Sequence, residues 1–360
     1  MIKMKILYLA HPLAFQLYGG SEFQLEKYYE ILKKSFSIKL FDPFKDDFLE
    51  FNVLHNFTLN PEMASTLEFA KNKGLKIVTN ANYWNLEKIV WNNKDFSLIK
   101  KVGYVLSSKL AKTGLFDWLF GILNPSLVYL YGQKKILKLS DVIIANSYSE
   151  KNLLIKDFKI NPEKIKVVYN GVDIGFKYEN PNLFFKKYGI KDFVLYTGRI
   201  EPKKNVLTLI KAAKKLQLPL VIIGNYNLKY PKYSESVKKE IKNSKILILP
   251  YMKHNSEMLK SAYKCCKVFA LVSFGESPGL SALEAGLAGA NLVVTEIGST
   301  KEYFSNLAFY VNPSSPKDIE DKLKQAFEKE KNNKLSKRIE KNYLWSKVLS
   351  KKAFKGIYHE

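Results

Sequence analysis

Few cysteines, no long apolar run and almost no arginine set the first limits on this sequence. The two cysteines, Cys265 and Cys266, are adjacent, and neighbouring residues reach disulfide geometry only with difficulty. No apolar run approaches the roughly 18 to 20 residues that a membrane-spanning helix needs, and residues 1–10 are too few for a secretory signal. We therefore expect a cytoplasmic protein with reduced thiols.

Length and composition are those of a folded chain with more than one domain. Its 360 residues exceed what a single hydrophobic core usually serves, so two domains are expected. Hydrophobic residues make up 46% of the chain and charged residues 26%, which argues against a disordered chain, a collagen-like repeat or a membrane bundle.

The net charge of the chain is strongly positive, and almost all of its basic residues are lysines. The 58 basic and 34 acidic residues leave a net charge of +24, and more than half of this excess lies in residues 151–250. Such a field favours a phosphorylated small molecule, a membrane surface or a nucleic acid as partner. Only Arg199 and Arg338 are arginines. Because a guanidinium grips anions in a bidentate way, Arg199 is a candidate anion-binding residue, and a chance surface position is the alternative.

Short apolar segments alternate with helical patterns along the whole chain. In the first half the predicted strands cover residues 3–10, 38–41, 51–54, 77–79, 142–145 and 165–169. In the second half they cover residues 193–197, 218–223, 245–249, 268–272 and 291–295. This alternation indicates an α/β fold with two parallel, doubly wound sheets and a ligand cleft at the carboxyl ends of the strands. A polar stretch, residues 177–191, is the predicted hinge.

The densest group of functional residue types follows the strand predicted at 268–272. Ser277 suits a helix N-cap and Pro278 the first helical turn, and the free amides of a helix N-terminus can bind phosphate. Glu276 and Glu284 can accept hydrogen bonds from sugar hydroxyls. An ordinary capped helix with two solvated glutamates is the alternative.

A second candidate loop joins the strand predicted at 193–197 to the next helix. Gly198 permits a tight bend, and Asn205 can cap the helix. Arg199 and Lys204 flank the loop, where a guanidinium and an ammonium group could hold a diphosphate together. A basic surface loop is the alternative.

A pair of glycines, Gly19 and Gly20, precedes the first predicted helix. Paired glycines let a backbone approach a phosphate or a sugar closely. Two glycines in a loop more often form only a turn.

Taken in order and at these intervals, the features resemble the retaining nucleotide-sugar glycosyltransferases of the GT-B fold, family 4. The resemblance rests on the Gly-Gly loop, Asn170-Gly-Val-Asp173, Gly198 and Arg199 with Lys204, and the two glutamates, and it covers almost the whole chain. It implies two Rossmann-like domains with parallel sheets that face each other across a cleft. The implied parts are an acceptor domain (1–172), a donor domain (173–335) and a C-terminal helix (336–360) that packs back on the first domain.

The resemblance also implies the reaction. A sugar passes from a nucleoside-diphosphate donor to a hydroxyl of a glycan, lipid-linked or other acceptor, with retention of anomeric configuration, in envelope or glycoconjugate synthesis. No metal and no other cofactor are implied, and the sequence contains no Asp-x-Asp. Cations and a helix N-terminus can stabilise a leaving diphosphate without a metal.

Site residues follow from the same resemblance. The catalytic set is Arg199, Lys204 and Glu276. The donor-binding set is Gly19, Gly20, Gly198, Arg199, Lys204, Glu276, Gly279, Leu280 and Glu284. In this set the two cations hold the diphosphate, Glu276 contacts the donor sugar, and Glu284 binds the ribose hydroxyls. The amides of Gly279 and Leu280 touch the sugar and phosphate, and the paired glycines line the opposite wall.

One position departs from the family pattern. Many members carry a histidine in the N-terminal half that contacts the donor sugar, and Ala81 occupies that place here. Asn80, Asn82 or Glu22 could contact sugar instead. A front-face mechanism, in which the leaving phosphate helps to deprotonate the acceptor, tolerates this change, and a scaffold with reduced or no activity is the alternative.

Residues 94–138 form a predicted excursion from the first domain. Lysines at 100, 101, 109 and 112 precede an aromatic and aliphatic segment that contains Trp118 and Phe120. Such a mixture suits an anionic membrane surface or an acceptor-side element, and packing on the domain is the alternative. A peripheral position at the inner face of the cell membrane follows from the first interpretation.

Other interpretations remain for the whole chain. A sugar-nucleotide epimerase or a phosphorylase could share the fold. A nucleic-acid-binding module could use the positive charge, but the lysines are spread over many helices, and no aromatic RNA-binding signature or zinc spacing is present. His55 is more typical of a structural histidine at a strand end than of a catalytic one.

Overall fold

The part of the chain that the structure describes forms two parallel sheets of six strands each. The computed structural model describes residues 4–11, 14, 19–84, 102, 125–242 and 244–359. The chain divides into two units, one formed by residues 1–170 with 345–360 and the other by residues 171–344. The predicted α/β class, with one parallel sheet in each half, is confirmed.

The first unit has the strand order β2-β1-β3-β4-β5-β6. Its strands are β1 (Lys5–Leu9), β2 (Ser37–Leu40), β3 (Val53–Asn56), β4 (Lys76–Asn80), β5 (Val142–Ala145) and β6 (Ile165–Val167). Its helices are α1 (Gly20–Leu32), α2 (Ala64–Asn72), α3 (Pro125–Leu139) and α4 (Tyr148–Phe158). All neighbouring strands pair in parallel, and the order reverses between β1 and β3.

The second unit has the order β12-β11-β10-β7-β8-β9, again with parallel pairs throughout. Its strands are β7 (Val194–Thr197), β8 (Leu220–Ile223), β9 (Ile246–Leu249), β10 (Val268–Leu271), β11 (Asn291–Thr295) and β12 (Phe309–Val311). Its helices are α5 (Gly175–Tyr178), α6 (Asn182–Tyr188), α7 (Val206–Lys215), α8 (Pro231–Glu240), α9 (Glu257–Cys265), α10 (Leu280–Ala288), α11 (Thr300–Phe304), α12 (Pro316–Glu328) and α13 (Lys334–Asn342). Here the order reverses between β7 and β10.

The prediction of a hinge at 177–191 is wrong. This stretch lies within the second unit, and helix α6 occupies its middle. Phe184 of α6 is fully buried, and its backbone amide donates to Oγ of Ser261 at 2.9 Å. Most residues of this stretch are polar, but the burial of Phe184 alone is sufficient to pack the two-turn helix against the second unit.

The last two helices belong to the first unit. They are α14 (Trp345–Val348) and α15 (Lys351–His359). The hydroxyl of Tyr358 on α15 forms hydrogen bonds of 2.9 Å with the Tyr8 hydroxyl and with Nδ1 of His55. Oδ1 of Asn80 forms a 2.9 Å hydrogen bond with Nε2 of the same imidazole. The C-terminal helix is therefore held by polar groups of β1 and β3 as well as by packing.

His55 is a structural residue. It lies inside β3 rather than after it, because the strand begins two residues later than predicted. The side chain is fully buried, and this burial lowers the pKa of His55 to about 3 although the hydrogen bond with Asn80 opposes the shift. A neutral imidazole in a closed network leaves no group for catalysis.

The predicted membrane-interface segment is described only in part. Its lysines at 100, 101, 109 and 112, with Trp118 and Phe120, lie outside the described residues. Membrane association therefore stays a prediction. Within the described ranges, no helix has both the length and the hydrophobicity to cross a bilayer.

Candidate active site

The two predicted motifs of the second unit leave the sheet at one edge. β7 and β10 are neighbours and run in parallel, so the loops after their carboxyl ends begin side by side. Gly198 and Arg199 follow β7, and Glu276 follows β10. The strand order reverses at this pair, which is where open α/β sheets bind their ligands.

Lys204 and Glu276 join the two motifs. Nζ of Lys204 lies 2.6 Å from Oε1 of Glu276, and the side chains are 22% and 7% exposed. Close by, the amide of Phe274 donates to the carbonyl of Lys203 at 3.0 Å. Two segments that are about 70 residues apart in sequence therefore form one charged site.

The backbone of Glu276 is fixed from the loop after β11. Its amide donates to the carbonyl of Ile297 at 3.1 Å, and its carbonyl accepts from the amide of Ser299 at 3.1 Å. Gly298 between them has φ +124°, and a Cβ there would collide with the carbonyl oxygen of Glu276. Only glycine permits this approach, so Gly298 sets the position of the Glu276 backbone, from which the carboxylate extends.

Helix α10 begins later than predicted. Ser277 is not its N-cap; Gly279 takes that position with φ +87°, a conformation that favours glycine. A Cβ on Gly279 would press against Leu271 and would lie 3.3 Å from Oε2 of Glu276. The carboxylate of Glu276 therefore lies at the N-terminus of α10, where first-turn amides lack intrahelical partners and the helix dipole is positive.

Arg199 extends from this edge into solvent. Its side chain is 60% exposed, and Nε lies 3.6 Å from Oε2 of the buried Glu201. Glu201 is fixed in turn by Asn227, whose Nδ2 donates to the same oxygen at 2.6 Å. At the backbone, the hydroxyl of Tyr196 donates to the carbonyl of Arg199 at 2.8 Å. The guanidinium is tethered at one nitrogen and has its remaining donors available for an anion.

Asn205 connects the loop to its surroundings and does not cap the helix with its side chain. It occupies the N-cap position of α7 with φ +55°, but makes no side-chain hydrogen bond to a helix amide. Its Nδ2 donates to the carbonyls of Val272 and Pro313 at 3.2 and 2.9 Å. The bonds tie the loop of Lys204 to the end of β10.

Glu284 is buried in the second turn of α10 and contacts a residue that no motif indicated. Nε2 of His254 lies 2.6 Å from Oε1 of Glu284. His254 comes from the loop between β9 and α9, which the sequence marks only as polar and turn-rich. The contact depends on tertiary structure, and no local spacing could have revealed it.

Two lysines in this loop differ in environment. Burial lowers the pKa of Lys203, and the neighbouring charge of Lys204 lowers it further. The charged form of Lys203 is thus disfavoured by its surroundings. Among the described residues, no three His, Cys, Asp or Glu side chains meet as a metal-ligand set.

The first unit has a cavity of about 280 Å³ at the carboxyl edge of β1 and β3. Its lining includes His11, Glu22, Phe57, Thr58, Asn60 and Tyr129. Gly19 is the N-cap of α1 and Gly20 its first residue, so the predicted glycine pair lies one residue before the lining residue Ser21. The strand order of this sheet also reverses here.

The segment at Ala81 has its own polar anchor. Ala81 is buried, and Asn82 has φ +46° with its Nδ2 donating to Oε1 of Gln24 at 2.9 Å. The amide of Tyr83 donates to buried Glu150 at 2.6 Å, and burial raises the pKa of Glu150 to about 7. The three residues proposed to contact sugar differ in their surroundings. Asn80 is hydrogen-bonded to His55. Asn82 is exposed, and Glu22 lines the cavity.

Two family models match most of the chain. Residues 35–176 match the family described as Glycosyltransferase Family 4, and residues 182–343 match Glycosyl transferases group 1. The O-antigen chain mannosyltransferase of Salmonella typhimurium is 28% identical over 187 residues, which cover 51% of this chain and 50% of that protein. The chain spans about half the length of the first curated relatives that it matches.

Solved structures match over nearly the whole chain. Sucrose-phosphate synthase from Thermosynechococcus elongatus has a TM-score of 0.75 at 13% identity, covering 99% of this chain and 98% of that one. The Anabaena protein HepE, solved with UDP-glucose, has a TM-score of 0.69 at 15% identity, covering 99% and 100%. The fold is thus that of the GT-B class. The chain belongs to glycosyltransferase family 4.

Proposed function

We propose that the protein is a retaining, metal-independent glycosyltransferase that uses a nucleoside-diphosphate sugar. The observation that carries the proposal is the meeting of Lys204, Glu276 and the N-terminus of α10 at the strand-order reversal of the second unit. A cation, a carboxylate and free helix amides are the groups that a sugar diphosphate requires: charge neutralisation for phosphate and a hydrogen-bond acceptor for hydroxyls.

The diphosphate lies between the two cations and the helix. Arg199 supplies bidentate donors from an exposed position, and Lys204 supplies a point charge. The amides of Gly279 and Leu280 complete the anion site. Negative charge grows on the diphosphate as the bond to the sugar breaks, so these groups stabilise the transition state more than the ground state.

The two glutamates bind hydroxyl groups at either end of the donor. Glu276, beside the N-terminus of α10, contacts the donor sugar. Glu284, buried one turn further along the helix, accepts hydrogen bonds from the ribose. Both carboxylates already have positively charged or donor partners in the protein, so neither is an isolated buried charge.

Retention is explained by attack from the face that the diphosphate leaves. The leaving phosphate oxygen then takes the proton of the acceptor hydroxyl, and the protein needs no dedicated base. This agrees with Ala81 at the position where many family members carry a histidine. Gly198, with φ +144°, lets the phosphate-binding loop turn sharply over the Tyr196 ring.

The acceptor binds in the first unit under this proposal. The cavity of about 280 Å³ combines the carboxylate of Glu22 with the rings of Phe57 and Tyr129. Aromatic faces and a carboxylate together suit a sugar, whose ring carbons are apolar and whose hydroxyls donate. A glycan or a lipid-linked sugar in envelope or glycoconjugate synthesis fits this chemistry, and the O-antigen chain mannosyltransferase relative supports it. The HepE complex with UDP-glucose supports a nucleotide-sugar donor.

The test is release of nucleoside diphosphate from UDP-, GDP- and ADP-sugars, with glycan and lipid-phosphate acceptors, in the presence and absence of EDTA. The proposal predicts acceptor-dependent release with at least one donor, unchanged by EDTA, and a product whose anomeric configuration by NMR equals that of the donor. Inverted configuration would contradict retention. Interconversion of sugars without diphosphate release would favour an epimerase.

A further inference from the structure

His254 lies against one of the two site carboxylates although it belongs to a different loop. Its Nε2 is 2.6 Å from Oε1 of Glu284, whose side chain is 5% exposed, compared with 20% for His254. Glu284 lies on α10, and His254 lies 30 residues earlier, between β9 and α9. The contact is therefore a product of the fold and not of a local turn.

The turn that carries His254 is itself fixed. Asn255 adopts φ +65°, and its Nδ2 donates to Oδ2 of Asp173 at 3.0 Å. The amide of Ser256 donates to the carbonyl of Lys253 at 3.0 Å. On α5, the ring of Phe176 packs against the imidazole with a centroid separation of 5.8 Å. These contacts set the position of the imidazole independently of Glu284.

A phenol faces the same carboxylate from α9. The hydroxyl of Tyr263 forms a 2.6 Å hydrogen bond with Oγ1 of Thr197. Burial raises the pKa of Tyr263 well above its ordinary value, and the negative charge of Glu284 raises it further. The phenol therefore stays protonated beside the carboxylate. The geometric contact that orients Glu284 is the 2.6 Å contact from Nε2 of His254.

We propose that His254 is a positioning residue that holds the Glu284 carboxylate in the orientation required to accept both hydroxyls of a ribose. The inference rests on the proposed function, in which Glu284 binds the ribose. A carboxylate has about four lone-pair sites, so Nε2 of His254 leaves enough for a cis-diol. Because the carboxylate is ordered in advance, the ligand does not bear the cost of ordering it. The site consequently selects ribonucleoside over 2′-deoxyribonucleoside diphosphates.

The experiment measures binding of UDP, GDP and ADP, and of dUDP, dGDP and dADP, by titration calorimetry. The proteins are the wild type, His254→Ala, His254→Gln, Glu284→Gln and the control His359→Ala, which changes an exposed histidine of the first unit. His254→Ala should weaken the preferred ribonucleotide roughly tenfold, as expected for a lost hydrogen bond to a charged group. Its deoxy counterpart should weaken far less.

Two further results are expected. His254→Gln, whose amide can still donate to Oε1, should recover part of the preference for ribose, and His359→Ala should match the wild type. In transfer assays, His254→Ala should raise KM for the donor and leave kcat nearly unchanged, since the ribose contact is shared by ground and transition states.

The outcomes separate the inference from the proposed function. Equal weakening of ribo and deoxy ligands by His254→Ala, or no weakening, would overturn the positioning role even if the wild type binds and transfers. Retained ribose preference in Glu284→Gln would remove Glu284 as the ribose ligand and the inference with it. No binding of any diphosphate by the wild type would overturn both proposals.

Discussion

Nζ of Lys204 and Oε1 of Glu276 form an ion pair of 2.6 Å. The cation assigned to the diphosphate thus already neutralises the carboxylate assigned to the donor sugar. Under the proposed function, the donor shares this lysine or replaces part of its contact with the glutamate. The pair consequently links the stability of the second unit to the affinity of the site.

The pair predicts unequal costs for its two members. Lys204→Met leaves the more buried carboxylate without its cation and should cost about 2 kcal/mol of unfolding free energy. Glu276→Gln leaves a lysine that can still reach water and should cost less. Removing both charges together should cost less than Lys204→Met alone. Urea unfolding followed by circular dichroism measures all three, and additive costs would contradict the coupling.

Arg199 is expected to affect binding and catalysis but not stability. Its guanidinium is 60% exposed and has only a long contact with Glu201, so Arg199→Ala should leave the melting temperature nearly unchanged. Arg199→Ala removes a hydrogen-bond donor to the negative charge that develops on the diphosphate, and this should reduce kcat/KM roughly 100-fold or more. Lys317→Ala on α12 removes the same charge from an exposed pair with Asp321 and serves as the control. Equal activity of the two variants would contradict the assignment.

Gly298 offers a test that moves Glu276 without changing it. Gly298→Ala forces a Cβ into the carbonyl of Glu276, whereas Gly289→Ala has a comparable positive φ but open space around it. The difference isolates the close approach and should amount to about 2 kcal/mol of unfolding free energy. Transfer activity should fall in Gly298→Ala and persist in Gly289→Ala. Normal activity in a folded Gly298→Ala protein would show that the position of Glu276 is not critical.

The buried, neutral His55 should make the unfolding free energy of the first unit depend on pH. Its folded pKa, about 3, lies below the ordinary value of 6.5, so the unfolded chain takes up a proton that the folded protein excludes. The stabilisation is complete above pH 6.5 and declines as the pH falls toward 3, by about 1.4 kcal/mol per pH unit.

The measurement compares wild type with His55→Gln between pH 5.0 and 7.5. All four tryptophans fall in the sequence ranges 1–170 and 345–360, so tryptophan fluorescence during urea unfolding follows the first unit. The difference in unfolding free energy between the two proteins should shrink as the pH falls. A difference independent of pH would contradict a buried, neutral His55.

The motifs were predictable because they are local and directly follow the carboxyl ends of two adjacent parallel strands. Gly198, Arg199 and Glu276 each stand within a few residues of a strand end, so sheet topology alone brings them together. The residues at which helices and strands begin and end were less predictable. Ser277 has the chemistry of an N-cap, yet Gly279 takes that position with φ +87° and the helix begins at Leu280.

The features that the sequence did not predict depend on tertiary contacts. His254 has no spacing relation to Glu284, and the hinge predicted at 177–191 looked polar because Phe184 is its single deep anchor. His55 looked like a strand-end residue because the apolar run stops before it, while the strand continues through a buried polar network. In each case the deciding partner is more than 20 residues away in sequence.

The most direct test of the account is a crystal structure with the nucleoside-diphosphate sugar that gives the largest thermal stabilisation. The account predicts both phosphates within hydrogen-bond distance of Arg199, Lys204 and the first amides of α10, with the sugar against Glu276. A well-ordered donor bound elsewhere, with the Arg199 guanidinium still in open solvent, would contradict it.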